Sequence, residues 1–556
     1  MKKNLMVMLA LATMLSAAVA YGAEGEYVAK CHNGCFVGAK EAETGVIVFK
    51  GIPYAQQPVG TLRWKAPLPA KRSSAVYDAK EFGPAPLQNL EEGDLDLVGK
   101  PNDEGCLNVN VWTADMTTKK KPVMFYIHGG SYGWEAARLP FYDMQYMVKE
   151  NPDVVLVTFD YRVNSLGFFD LSKVPDGKVY KSADFKDSGY LGVLDTIAAL
   201  KWTKKNIKAF GGDPDNITVF GESAGGGMTS ILLVTKQAKG LFKRAIAQSG
   251  ALNLTMNKET IDRLGQTESL MKATGAKNMD DLMALTKEDI LKGWMAESGK
   301  MGPEGGTTVQ SLNNHPRRGG GSIIAEDPLE VLRQGASKDV DLMIGTTADE
   351  WNYWIPLMPG DMQEKMAYIN NVNNISIGRY RKKAGPDKQG LIDEYLRIAR
   401  DRGGKWDKRH PGFWRRMEMM TDMAFRFPAI KVAEAHSAAG GKGKTYMYYF
   451  GKESDLADWA GAPHAVELPY VFNNPSVGGT EIYGNVDPAL ARKMCWAWTN
   501  FARSGNPSLD DFVWEQYDVN WRKTMTVGND KVIRMIEKPL DEQRRLLEMV
   551  GVYYTV

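Results

Sequence analysis

The sequence predicts an α/β protein, built on a mostly parallel central sheet with helices on both faces. Three observations carry that expectation. Short, near-continuous apolar runs recur, as at residues 122–127 and 154–159, the pattern of strands buried on both faces. Between such runs apolar residues fall at helical spacing, as Leu194, Ile197, Ala198 and Trp202 do before Gly211-Gly212. The third is Gly221-Glu222-Ser223-Ala224-Gly225, set between the alternating run 217–220 and the small-then-apolar run 226–234. That composition reads as strand, sharp turn and helix, with Ser223 at the apex.

Taken in order, residues 1–20 read as a secretory signal, with Lys2 and Lys3, an apolar stretch over 5–15, and Ala18-Val19-Ala20 as a small-residue cleavage site. The apolar stretch is short for a membrane span, and no later segment offers one. The expectation is an exported protein, secreted or periplasmic and bacterial, whose mature part, 21–556, is a single domain. The formal net charge is +2 and falls to zero without Lys2 and Lys3. Overall charge therefore gives no reason to expect nucleic acid or an anionic membrane as partner.

Residues 27–48 alternate as hairpin strands do. Cys31-His32-Asn33-Gly34-Cys35 carries an Asn-Gly turn, and export permits a small-loop disulfide between Cys31 and Cys35. One CxxxC with one histidine has too few ligands for a closed zinc shell, so no metal is expected. The pairing of Cys106 and Cys495 cannot be deduced from their spacing. Residues 62–67 hold too many neighbouring breakers for a helix. Further strands are expected at 107–112, 245–247, 341–344 and 446–450, and closing helices at 490–504 and 540–549. Two long excursions, about 255–335 and 352–445, interrupt the strand–helix rhythm and read as walls of a binding gorge.

A serine hydroxyl needs a base to become a nucleophile. The chain has six histidines. His32 lies in the hairpin, while His315, His410 and His436 sit in polar, charged stretches and read as solvated or locally bonded. His128 opens His128-Gly129-Gly130-Ser131 directly after a buried strand, the composition of a loop whose backbone N–H groups approach a substrate oxygen. Gly129, Gly130 and Ala224 are accordingly expected to form an oxyanion hole, with His128 shaping the loop. His464, in a turn late in the chain, is left as the base. An acid should fall between Ser223 and His464 after a strand; Asp349 and Glu350 both qualify, and the residues alone do not separate them.

Here the sequence resembles the type-B carboxylesterases, the group containing the cholinesterases and bacterial para-nitrobenzyl-type esterases. The resemblance spans nearly the whole mature chain. It rests on Phe49-Lys50-Gly51-Ile52-Pro53-Tyr54-Ala55, Asp160-Tyr161-Arg162, Phe210-Gly211-Gly212-Asp213-Pro214, Phe220 to Gly225, Gln248-Ser249-Gly250, Asp349-Glu350, Pro463-His464 and Gly505-Asn506-Pro507. It implies the α/β-hydrolase fold, Ser223 as nucleophile, His464 as base, Glu350 as acid, and hydrolysis of a small-molecule ester through an acyl-enzyme without cofactor. It also implies structural ion pairs Arg63–Glu104 and Arg162–Asp195. A lipase or an esterase for phenolic or drug-like esters is the alternative within enzymes. A non-catalytic binding protein of the same fold would typically lack one of the three residues.

Three departures stand out. Ser131 replaces the last glycine of the usual His-Gly-Gly-Gly. Cys106 has no cysteine partner in 83–88, so it reads as a free, buried thiol. No tryptophan lies between Leu87 and Gly105, which argues against choline esters. The basic run from Arg379 to Arg416, with Trp406 and Trp414, reads either as a solvated lid with packed tryptophans or as a gorge mouth favouring anionic esters.

Overall fold

The computed structural model describes residues 27–88, 102–257, 260, 265–298, 315–319, 323–358, 360–474 and 483–551. The expected leader, residues 1–20, lies outside them, as do residues 302–306 and 320–321 of the first excursion. A 13-stranded sheet forms the centre, twelve strands in one path and a short strand, Val76–Asp78, set beside Gly34–Lys40 off that path. Its N-terminal flank is antiparallel: β1 (Tyr27–Cys31), β2 (Gly34–Lys40), β3 (Ile47–Pro53) and β4 (Asn108–Thr113). The body follows as β6 (Val155–Phe159), β5 (Lys121–Ile127), β7 (Gly212–Glu222), β8 (Arg244–Gln248), β9 (Asp341–Thr347), β10 (Thr445–Phe450) and β11 (Thr524–Val527), each parallel to its neighbour. An antiparallel edge strand, β12 (Ile533–Ile536), closes the order.

Strand alternation explains why the runs are apolar throughout. Val123, Phe125 and Ile127 of β5 enter the core on one face, together with Val219 of β7 and Ile344 of β9. Met124, Tyr126, Phe220 and Met343 enter the core on the other. Successive side chains point to opposite faces, so both must be apolar when both faces are covered. A one-residue slip would exchange the two sets, and their different shapes hold the register. The helix expected before Gly211 is α1 (Leu191–Asn206), followed by a 3₁₀ turn that ends where Gly211 takes a φ of 88°.

The Cys31–Cys35 disulfide is a correction: both thiols are free. Cys31 pairs with Gly34 and Cys35 with Lys30, so the two side chains leave the hairpin on opposite faces. Cys106 is free and buried, as its missing partner suggested. Both expected ion pairs form. Arg162 grips Asp195 through Nε and Nη2 at 2.8 and 2.7 Å, and Arg63 Nε lies 2.6 Å from Glu104. His315 and His436 are buried rather than solvated; His436 Nδ1 lies 2.8 Å from Thr445 Oγ1, and the His315 ring stands edge-on to Tyr132.

The second excursion has a hydrophobic core of its own, rich in methionine (Met366, Met417, Met419, Met420, Met423). Part of its basic run is paired: Arg381 with Asp393, Arg397 with Glu394, Arg400 with Asp349, and Arg415 with Asp401. Trp406 and Trp414 are buried beneath Lys405 and Arg402. These contacts match the solvated lid with packed tryptophans.

Candidate active site

Ser223 sits between β7 and α2 (Ala224–Val234) with φ 57° and ψ −121°, a conformation that costs a non-glycine residue of order 1–3 kcal/mol. The surroundings hold it there. The Ser223 N–H donates to the Gln248 carbonyl at 2.9 Å, and its own carbonyl accepts from Gly227. The flanking glycines permit the crowding: a Cβ on Gly225 would stand 1.9 Å from the Ile127 carbonyl oxygen, and one on Gly221 2.6 Å from it. Gly225→Ala should therefore destabilise the protein by about 3 kcal/mol, seen as a lower urea midpoint; an unchanged midpoint would show that the elbow is not packed this tightly.

His464 lies in the turn after β10, and Glu350 opens a 3₁₀ turn after β9. Glu350 Oε2 is 2.6 Å from His464 Nδ1. Its Oε1 accepts from Ser249 Oγ at 2.7 Å and from the Thr347 N–H at 2.8 Å. Asp349 is engaged elsewhere: it receives the Ala462 N–H at 2.9 Å and pairs with Arg400. The structure thus separates the two carboxylates that sequence physics left open. Tyr353, Trp354 and Phe425 ring the imidazole, with centroids 5.6, 5.4 and 4.9 Å away.

Phe425 reaches this position from a π-turn, Asp422–Arg426, between the helices Phe413–Thr421 and Phe427–Ser437. Pro428 follows, in the first turn of the second helix.

The loop after β5 bends sharply. Gly130, Ser131 and Tyr132 take φ values of 82°, 50° and 59°, and the loop packs on the elbow, since a Cβ on Gly129 would lie 3.3 Å from Ser223 Cβ. His128 shapes it as expected. Its ring stacks on Tyr161 at 4.3 Å, the Tyr161 hydroxyl bonds the His128 carbonyl, and burial drives the imidazole down to about 3, keeping it neutral. Gly129 requires a correction: its N–H donates to the Tyr142 hydroxyl at 3.3 Å and is already engaged.

Three buried carboxyls that the sequence did not nominate crowd the same space. Glu222 Oε1 lies 3.1 Å from His464 Nε2, the face opposite Glu350. Glu467 takes Gln248 and Tyr448 at 3.2 Å each. Glu135 takes the Tyr142 hydroxyl at 2.6 Å. Burial raises all three: Glu222 well above its ordinary range, Glu467 and Glu135 to about 7. Burial by itself would lower His464, but Glu222 and Glu350 outweigh it and hold the imidazole at about 9. None of the three acids follows a periodic pattern; a carboxylate embedded in an apolar or glycine-rich string was the one available signal.

A serine on a strand–helix elbow, with an acid and a histidine on loops after later strands of the same parallel sheet, defines the α/β-hydrolase architecture. Comparison with known proteins carries this to a family. The carboxylesterase family model matches residues 26–546, and the chain belongs to that family of carboxylic ester hydrolases. The para-nitrobenzyl esterase of Bacillus subtilis (strain 168) is 33% identical over 512 residues, 91% of this chain and 95% of that one. An acetylcholinesterase of Leptinotarsa decemlineata is 29% identical over 527 residues, 87% and 80% of the two chains. Among solved structures, the Geobacillus stearothermophilus carboxylesterase EST55 at pH 6.2 superposes with a TM-score of 0.76 at 31% identity, covering 93% of this chain and 99% of its own.

Proposed function

We propose that this carboxylic ester hydrolase works through an acyl-enzyme on Ser223, with His464 as base and Glu350 as the acid that orients it. The observation carrying the reading is the 2.6 Å contact between Glu350 and His464 Nδ1, on loops adjoining the strained Ser223 elbow. Ser223 Oγ attacks the ester carbonyl while His464 Nε2 takes its proton. His464 then returns that proton to the leaving alcohol, and water releases the acid by the same steps in reverse. The N–H groups of Gly130, Ala224 and the next peptide, Ser131, receive the oxyanion, because Gly129 faces Tyr142. No metal or organic cofactor enters this chemistry.

The leader at residues 1–20 supports export as a secreted or periplasmic enzyme. Among the described residues no helix is long and apolar enough to cross a membrane. The aromatic wall around His464 favours uncharged small esters over anionic ones.

A fluorophosphonate probe should label one residue, Ser223, identified by peptide mass. Labelling elsewhere, or none on an enzyme that turns over an ester, would overturn the assignment.

The flanking acids set a pH dependence. The base must be neutral to accept a proton, and Glu222 and Glu350 hold His464 in its charged form up to about 9. The free-enzyme profile, kcat/KM, should therefore rise with pH as far as about 9. Glu222 and His464 titrate as a pair across their 3.1 Å contact, and Glu222→Gln should move that limb to lower pH. A limb that stays in place would show that Glu222 does not set it.

A further inference from the structure

Glu135 is the least expected of the buried acids. It sits in the loop that frames the oxyanion, with its own φ at 70°, inside an otherwise apolar and glycine-rich string. A carboxyl group beside a centre that develops negative charge opposes the reaction and is costly to bury. Something in the geometry should offset that cost.

The hydrogen bonds supply it. The Tyr142 hydroxyl has one proton and gives it to Glu135 Oε2 at 2.6 Å, which turns an oxygen lone pair toward the Gly129 N–H, 3.3 Å away. The Tyr142 ring is fixed by Tyr126, Phe141 and Phe472, with centroids 4.9, 4.3 and 6.3 Å from it. At the other end, Gln88 Nε2 anchors the Glu135 carbonyl at 2.9 Å. The chain therefore ends on the peptide just before three consecutive residues of positive φ, two of them non-glycine and strained. A run of this kind persists only when neighbours over-determine it.

We propose that Glu135 is a positioning residue for ester hydrolysis, holding the oxyanion loop in its working conformation through the chain Gly129 N–H to Tyr142 hydroxyl to Glu135 carboxyl. The inference rests on the reading of Ser223 and this loop given above. It places the effect in the transition state: donors displaced by a fraction of an ångström bind a ground-state ester nearly as before but meet the oxyanion poorly.

The test uses the full-length enzyme and an uncharged para-nitrophenyl ester. Glu135→Ala should lower kcat by about 10- to 100-fold with KM changed less than about 3-fold, and Tyr142→Phe should do the same. The double variant should be no worse than either single one, since one chain is broken once or twice. Glu135→Gln, which keeps an oxygen to accept from Tyr142, should restore kcat to within about 3-fold of the parent and shows that the fold tolerates the site. Additive losses in the double variant, a loss confined to KM, failure of the glutamine to rescue, or an alanine variant as fast as the parent would each overturn the proposal. If the parent hydrolyses the ester without labelling at Ser223, the reading of the site fails instead, and the two failures stay distinct.

Discussion

Ser223→Ala should lower kcat for ester hydrolysis by about 10⁶-fold, to the level that binding and loop dipoles provide alone. The magnitude follows from what one atom does. In the proposed mechanism, loss of Oγ leaves no acyl-enzyme, and the buried imidazole has no attacking oxygen to activate. Folding should be unaffected, because the main-chain bonds of Ser223 to Gln248 and Gly227 hold the elbow and alanine has the same Cβ. Circular dichroism and a urea titration verify the fold, and a stopped assay at high enzyme concentration reads the residual rate. More than about one per cent of the parent rate would sink the nucleophile.

Glu350→Gln is the second large effect, expected near 10⁴-fold in kcat. Glu350 accepts three bonds, from Ser249, Thr347 and His464. A glutamine can keep its oxygen toward Ser249 and Thr347, which leaves an amide N–H facing Nδ1. The imidazole must then present a lone pair at Nδ1 and carry its proton on Nε2, the nitrogen that has to accept from Ser223. KM should change little. Asp349→Asn serves as the control: it faces Arg400 and Ala462, so it should shift stability and leave the pH profile in place. Equal losses in the two variants would remove the distinction between the acids.

Sheet and site were legible to different depths. Strands buried on both faces declare themselves, because two cores require apolar residues at consecutive positions, as in 122–127. The placement of Ser223, Glu350 and His464 after strands, in that order, was legible, and the contact of Glu350 rather than Asp349 with His464 was expected from resemblance alone. What stayed hidden depends on register and on contacts between distant loops. The Asn-Gly turn was readable, yet which hairpin face Cys31 and Cys35 take depends on their pairing with Gly34 and Lys30. Gly129 looked like a donor until Tyr142, thirteen residues on, was seen to occupy it. Glu135, Glu222 and Glu467 meet only in three dimensions, and no spacing in the chain announces that. The arginines of the lid gave a net positive string, whereas which carboxylates meet them, Asp393 and Asp401 within the run and Asp349 before it, depends on the fold.

The π-turn at Asp422–Arg426 holds one residue more than an α-helix would need. Losing a single residue there would restore regular winding and rotate everything on one side by ~100° relative to the other. Phe425, now 4.9 Å from His464, would swing off the imidazole, while Ser223, Glu350 and His464, all on other elements, would stay.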